Sequence, residues 1–461
     1  MHHGTSCTAE GSLGPERRVR LVVHHQYRVI AYVASAPKGP MNPAYATADH
    51  VFTVPLDHAR PDGPVIEVFA REVADRTRAG EQLPWLLYLQ GGPGGKSPRP
   101  SDGSPGWLPQ ALKTHRVLLL DQRGTGRSTP VTARAAARIA DPARLAAHLT
   151  HFRADAIVDD AELIRHRLCG DEPWETLGQS YGGFVTLTYL SRAPHALKAA
   201  YVTGGLPGLD ATADDVYART YPRVRDRVRQ FYARYPDDAD RLRRIADLLA
   251  AADVRLPDGD RLTVRRLRAL GLVFGMGDGF ERVHWLLDEA LDAHGELSDT
   301  FLHQVMNATG FTDNPLFAVL QETIYGQGAT AGRWAADRAL SAHPEFADDA
   351  DPLLLTGEMI YPWMFREIRA LRPFADAADL LAARTDWQPL YDRTALAANQ
   401  VPLAAAVYYD DMYVDAGLSL ATAREVGATR VWITNEWEHD GITASGGRVL
   451  ARLMELAREA G

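Results

Sequence analysis

Three short apolar runs stand out along the chain, each ending in a glycine-rich or polar turn. Trp85-Leu86-Leu87-Tyr88-Leu89 leads into Gly91-Gly92-Pro93-Gly94-Gly95, Val117-Leu118-Leu119-Leu120 into Asp121-Gln122-Arg123-Gly124, and residues 174–177 into Gly178-Gln179-Ser180-Tyr181-Gly182. Runs without polar alternation are what strands buried on both faces look like. Helical segments at 154–169 and 184–192 separate them, and alternation of strand and helix predicts an α/β fold with a mostly parallel central sheet. Ahead of these runs, residues 50–56 alternate as a strand does, with 65–73 as a hairpin partner. After Gly204-Gly205-Leu206-Pro207-Gly208 the rhythm changes. From 211 to about 393 the pattern is helical, with 216–235 and 239–251 amphipathic and charged. Strand-like runs return at 401–409 and 430–434. A closing helix at 447–460 has Val449, Leu450, Leu453, Met454 and Ala457 as its apolar positions. The predicted organisation is a loosely ordered extension over 1–45, an α/β domain over 46–208, an inserted all-helical cap over 209–395, and completion of the α/β domain over 396–461.

Composition agrees and narrows the function. The 461 residues exceed what one simple core holds, about 250–300 residues. A hydrophobic share of 46% with 24% charged residues is a globular balance. Fifty basic against 59 acidic residues give a net charge of −9, which argues against nucleic acid or an anionic membrane as partner. Cys7 and Cys169 are the only cysteines, so neither a disulfide framework nor a cysteine-based zinc site is expected. Arg17, Arg18 and Arg20 precede Leu21-Val22-Val23, but His24, His25 and Arg28 break the apolar core a secretion signal needs; the expected location is the cytoplasm. No metal-binding or dinucleotide motif stands out, so no cofactor is expected. Gly95-Lys96-Ser97 resembles the end of a phosphate loop. That motif requires Gly where Gln90 stands, and Pro98 and Pro100 interrupt the helix that must follow.

The strongest chemical signal is Gly178-Gln179-Ser180-Tyr181-Gly182 between a strand and a helix, the setting of a nucleophile elbow. Small residues two positions either side of the serine let the turn close and present its Oγ above the sheet. A serine nucleophile needs a base and the base an orienting acid, in the chain order serine, acid, histidine for α/β-hydrolases. Asp410 and Asp411 directly follow the 401–409 strand, and spacing does not separate them. His439 lies beyond the last strand and before the last helix. The oxyanion hole needs two backbone N–H groups. Tyr181 supplies one, and Gly92, in the loop after the 85–89 strand, the other.

Together these residues resemble the proline iminopeptidases (prolyl aminopeptidases), serine peptidases of the α/β-hydrolase superfamily. The motifs that carry the likeness are Gly91-Gly92-Pro93-Gly94, Asp121-Gln122-Arg123-Gly124-Thr125-Gly126-Arg127-Ser128, Gly178-Gln179-Ser180-Tyr181-Gly182-Gly183, Tyr408-Tyr409-Asp410-Asp411-Met412-Tyr413-Val414 and Glu438-His439. The likeness extends from about residue 50 to the end. Gln90 departs from it, since many relatives carry histidine there. The family pattern puts the catalytic acid immediately before Met412, which favours Asp411. The resemblance implies release of N-terminal proline from a peptide with a free N-terminus, and an amine held by carboxylates of the cap. Glu322, in Gln321-Glu322-Thr323-Ile324-Tyr325, is the first candidate, and Glu358, with Tyr361 and Trp363 nearby to wall a proline ring, the second. An esterase, amidase or other acyl hydrolase on the same scaffold is the alternative reading, and a catalytically silent hydrolase-fold binding protein is a further one.

Overall fold

The computed structural model of the chain describes residues 17–19, 32–35 and 45–460. Ten strands form one sheet: β1 (Arg17–Val19), β2 (Tyr32–Ser35), β3 (Tyr45–Pro55), β4 (Val65–Asp75), β5 (Trp85–Leu89), β6 (Arg116–Leu120), β7 (Trp174–Gln179), β8 (Leu197–Thr203), β9 (Leu403–Tyr408) and β10 (Thr429–Thr434). Their spatial order is β1-β2-β3-β4-β6-β5-β7-β8-β9-β10. The first four strands and the β4–β6 pair run antiparallel, and every pairing from β6 through β10 is parallel. This is the expected α/β-hydrolase architecture. Apart from β1 and β2, residues 1–44, where a loosely ordered extension is expected, lie outside the described residues.

The apolar runs form central strands because both of their faces are covered. Leu87, Leu89, Leu118 and Leu120 enter the core beneath the helices Ala154–Cys169 and Tyr181–Arg192. Their neighbours Leu86, Tyr88, Val117 and Leu119 enter the core on the opposite face. There the closing helix Arg448–Ala460 buries Val449, Leu450, Leu453, Met454, Leu456 and Ala457. Successive side chains pointing to opposite faces account for the division.

Two features place the site. Leaving β5, the chain pairs first with β6 on one side and later with β7 on the other. The loops after β5 and β7 therefore part at their C-terminal ends, where α/β sheets open a crevice. Between β8 and β9 the chain makes a helical insertion that begins with Ala213–Arg234, opened by a Thr212–Asp215 capping box. Its core is continuous with the sheet's, through Tyr217, Tyr221, Val224, Val228 and Phe231. Asn314 Nδ2 donates to the Pro93 carbonyl at 3.2 Å, so the insertion touches the loop after β5 directly.

The Asp121–Ser128 segment anchors this crevice through buried ion pairs and backbone bonds. The buried Asp121 carboxylate accepts from Ser97 N–H at 3.1 Å, from Arg127 N–H at 2.9 Å and from both Arg99 Nη atoms at 2.8 and 2.6 Å. Arg123 pairs with Asp160 through Nε at 2.7 Å and Nη2 at 2.6 Å, and donates also to the carbonyls of Pro55, Leu56 and His151. Burial pushes the Asp160 carboxyl up, but Arg123 and His58 outweigh it and hold it below the usual range. Removing one partner of such a pair leaves the other charge buried alone. Asp160→Ala is therefore expected to lower unfolding free energy by about 3–5 kcal/mol in urea titration. Because the folded carboxyl titrates low, the wild-type contribution holds above about pH 4 and fades as pH falls below it. The urea midpoints of wild type and variant should converge in acid; a constant gap down to pH 2 would contradict the ionic account.

Candidate active site

Ser180 turns the chain alone, between the end of β7 and the helix Tyr181–Arg192. It adopts φ 54° and ψ −123°, a conformation that L-residues enter only under strain. The surroundings hold it there: Ser180 N–H donates to the Thr203 carbonyl at 3.0 Å, and the Ser180 carbonyl accepts from Gly183 N–H at 2.7 Å. A Cβ on Gly178 would strike the Gly182 carbonyl, and one on Gly182 the Leu89 carbonyl. Those two collisions are the physical content of the glycine spacing.

The loop after β5 passes beside the same serine, since a Cβ on Gly91 would lie 2.7 Å from Ser180 Cβ. Gly92 follows with φ 128°, a backbone state open to glycine. Among the described residues the Gly92 amide has no backbone acceptor. Tyr181 opens its helix, where N–H groups lack an intrahelical acceptor. Both amides nominated for the oxyanion hole thus belong to segments packed around Ser180. Gln90 ties the loop down: its Nε2 donates to Gln179 Oε1 at 3.3 Å and its carbonyl accepts from Gln122 Nε2 at 2.9 Å.

Asp411 and His439 meet although 28 residues separate them. His439 Nδ1–H donates to Asp411 Oδ2 at 2.6 Å, and the side chains are 4% and 1% exposed. Asp411 Oδ1 accepts from Tyr413 N–H at 2.8 Å and Val414 N–H at 3.1 Å, so both carboxylate oxygens are fixed. Asp410 is exposed, which separates the two acids that spacing leaves open. Gly204-Gly205, just after β8, lies against both His439 and Ser180. A Cβ on Gly204 would lie 3.1 Å from His439 Nδ1, and one on Gly205 would strike the Ser180 carbonyl. The Tyr413 ring packs edge-on against the imidazole at 4.8 Å. Burial alone would lower the imidazole pKa. The charge and hydrogen bond of Asp411, with Glu358 and Asp440 behind it, outweigh burial and raise it above the ordinary value.

The two glutamates differ in burial and in partners. Glu358 is half-buried and acts electrostatically on His439. Its carboxyl is pushed up to about 7 by burial and by the Asp411 charge, against the opposing effects of His439 and of a Gln321 hydrogen bond. Glu322 is buried, and burial raises its carboxyl too. Its Oε1 accepts from Ala336 N–H at 3.1 Å, while Oε2 has no hydrogen-bond partner. Tyr325, whose ring packs on Phe184 at 5.9 Å, feels the charges of Glu358, Asp411 and Glu322 together. Tyr361 and Trp363, the rings expected near a proline, stack on each other at 6.1 Å; the Tyr361 hydroxyl bonds to Tyr221 and Arg265 covers Trp363. Tyr325, Tyr408 and Tyr413 all feel the charge of Asp411. Tyr413 stands in the quoted motif, but nothing in its spacing signals the ring contact with His439.

Among the described residues no group of three His, Cys, Asp or Glu could hold a metal ion, and no helix is long and apolar enough to cross a membrane. A cleft of about 730 Å³ lined by residues such as His58, Arg153, Asp159 and Trp387 lies elsewhere and contains none of these catalytic candidates.

Comparison with known proteins agrees with this architecture. The family model for the alpha/beta hydrolase fold matches residues 84–267. A proline iminopeptidase from Aeromonas sobria is 48% identical over 412 residues, covering 89% of this chain and 96% of that protein. Proline iminopeptidase aneH from Aspergillus aculeatus is 35% identical, covering 90% of this chain and 94% of that protein. Among solved structures, VinJ aligns with a TM-score of 0.42 at 13% identity, over 89% of this chain and 98% of that one. With near full-length identity at that level, the chain belongs to the proline iminopeptidase family of α/β-hydrolase-fold enzymes.

Proposed function

We propose that this serine hydrolase is a prolyl aminopeptidase that works through an acyl-enzyme on Ser180, with His439 as base and Asp411 as its orienting acid. The observation that carries the reading is the buried 2.6 Å Asp411–His439 bond, linked through Gly204-Gly205 to the strained turn at Ser180. With Nδ1–H committed to Asp411, Nε2 is the basic nitrogen. Ser180 Oγ attacks the carbonyl carbon of the N-terminal residue while Nε2 takes its proton. The oxyanion is held by the Gly92 and Tyr181 amides. His439 then returns the proton to the leaving amine as the C–N bond breaks, and water cleaves the prolyl ester by the same steps.

The choice of an N-terminal residue is assigned to the helical insertion acting as a cap. An ammonium beside the triad must be paired, because an isolated buried charge is expensive. Glu358 and Glu322 are the candidate partners, and a substrate ammonium would supply a counter-charge beside Glu358. The proline iminopeptidase names of the two long relatives support this substrate class.

Three substitutions test the chemistry. Ser180→Ala should lower kcat by about 10⁴–10⁶-fold in a correctly folded protein. Asp411→Asn should cost about 10⁴-fold, because it favours the wrong imidazole tautomer. Asp410→Asn should change kcat little. Comparable losses at 410 and 411, measured on prolyl arylamide, would remove Asp411 from its role.

Substrate-end recognition is read by comparing prolyl arylamide with its N-acetyl derivative. Glu358→Gln should lower kcat/KM on the free-amine substrate by roughly 30- to several-thousand-fold, the range for truncating one partner of a buried charge pair. Glu322→Gln should do the same to a smaller degree, since one of its oxygens already serves Ala336. Wild type should cleave the acetylated substrate poorly; efficient cleavage would move the assignment to a general amidase or esterase.

The acid limb of kcat/KM for a small ester should lie above about pH 6.5, the ordinary imidazole value, because the folded pKa of His439 is raised. His439 must be neutral to act, so activity appears as pH rises through that value. Glu358→Gln removes one of the carboxylates that raise it and should move the limb to lower pH. A limb unmoved or moved upward would show that Glu358 does not face the imidazole in solution.

A further inference from the structure

The helix Ala213–Arg234 carries Arg219, Arg223 and Arg227 four residues apart, hence on one face. This face lies along both loops that bear the acid and the base. Arg219 and Arg223 reach Asp415 at 3.7 and 3.4 Å, and Arg223 Nη1 donates to the Tyr409 carbonyl at 3.1 Å. Arg227 makes the denser set. Its Nη2 lies 2.9 Å from Glu438 Oε1, the residue before His439, and its Nε and Nη2 donate to the Phe274 carbonyl at 3.2 and 2.9 Å.

Phe274 belongs to a short strap of the insertion that also bonds to the catalytic loops at three points. The Leu272 carbonyl accepts from the Tyr413 hydroxyl. The Gly275 carbonyl accepts from His439 N–H at 3.0 Å, and Gly277 N–H donates to Asp440 Oδ1 at 3.1 Å. Gly275 packs directly on the Tyr413 ring, which in turn packs on the imidazole. The Arg227 side chain is 13% exposed and stacks on Phe280 at 4.8 Å, so the guanidinium is itself held in place. Its Nη1 also donates to Gln230 Oε1 at 3.1 Å, and a planar fork that serves three acceptors at fixed angles is work that lysine does not reproduce.

The geometry points to Arg227 as a positioning residue for His439: it joins the strap at Phe274 to Glu438 and so fixes the imidazole from both sides of its loop. The inference rests on the proposed triad. It has a consequence that the triad alone does not carry. The element that reads substrate ends also assembles the base, so loosening Arg227 should slow even substrates that never engage the insertion's carboxylates. This distinguishes Arg227 from Glu358 and Glu322, whose loss should be felt mainly by free-amine substrates.

The test uses the full chain and two readouts: labelling of Ser180 by a fluorophosphonate, and steady-state hydrolysis of p-nitrophenyl acetate and prolyl arylamide. Arg227→Met should slow labelling and lower kcat on both substrates by about 10²-fold, the scale of a base displaced by about 1 Å, with KM little changed. Arg227→Lys, which keeps a cation near Glu438, should recover part of the loss. Glu438→Gln should show a smaller loss of the same kind, and the Arg227→Met/Glu438→Gln double variant should be less impaired than the product of the single effects, as residues of one unit behave. Glu438→Gln and Arg227→Lys keep the question open to measurement if Arg227→Met fails to fold. Normal labelling and ester turnover in folded Arg227 variants, or a loss confined to the prolyl substrate, would overturn the positioning role and leave the triad standing. Absence of labelling at Ser180 in the wild type would overturn the triad and this inference with it.

Discussion

A hydrogen bond of 2.6 Å between Asp411 and His439 sets the terms for the rest of the molecule. It is buried, so the charge of the acid must be balanced by fixed donors, and the chain supplies them in the two amides that follow it. It joins the ends of two neighbouring parallel strands, β9 and β10, whose register is set by the sheet. On the proposed reading its imidazole must also face Ser180 at the end of β7, with β8 and β9 between that strand and β10, which carries the histidine. The Gly204-Gly205 step at the end of β8 meets that demand, because any side chain there would displace the imidazole or the serine backbone.

The Asp121–Ser128 segment shows how a family signature can be architectural and still govern chemistry. None of its side chains is placed on the reacting atoms. Asp121 gathers Ser97, Arg99 and Arg127, and thereby fixes the far end of the glycine loop that starts at Gly91. Ser128 Oγ donates to the Asp121 carbonyl at 2.5 Å and accepts from Phe69 N–H at 2.7 Å, locking the turn to β4. An oxyanion hole works only if its amides are held before the charge develops. A loop rich in glycine has little rigidity of its own, so its stiffness must come from such anchors.

How much of this was legible in the sequence depended on whether the determinant was local. The strands from β3 to β7, and β9 and β10, could be read because a doubly covered strand or a hairpin leaves a run or an alternation in the chain. Strand β8, Leu197–Thr203, escaped notice. Its run is interrupted by Lys198 and by alanines, which become a strand only between β7 and β9. The elbow was legible because collisions between neighbours two residues apart fix its glycines. The choice between Asp410 and Asp411 could not be made from spacing, since burial of one and exposure of the other depends on the insertion lying over that loop. The environments of Glu322 and Glu358 were equally hidden: one carboxylate takes the Ala336 amide on a helix that begins 13 residues later, while the other meets a histidine 81 residues away. The arginines at 219, 223 and 227 read as the solvated face of a charged helix, because their partners lie about 190 to 210 residues downstream.

On the proposed reading, this arrangement also explains why the base can be so heavily surrounded by acids. Asp411, Asp440 and Glu358 all raise the imidazole's affinity for a proton, which on its own would keep His439 charged to higher pH and idle as a base there. A bound ammonium changes the balance. Placed beside Glu358, it favours the ionised carboxylate that burial resists and neutralises its field at the imidazole. The pull on the His439 proton then falls back toward that of Asp411 and Asp440. A substrate without an amine leaves Glu358 free to take up a proton or to keep its hold on the imidazole. Recognition and activation would thus share one carboxylate, and selectivity for chain ends would be expressed in the protonation of the base as well as in binding.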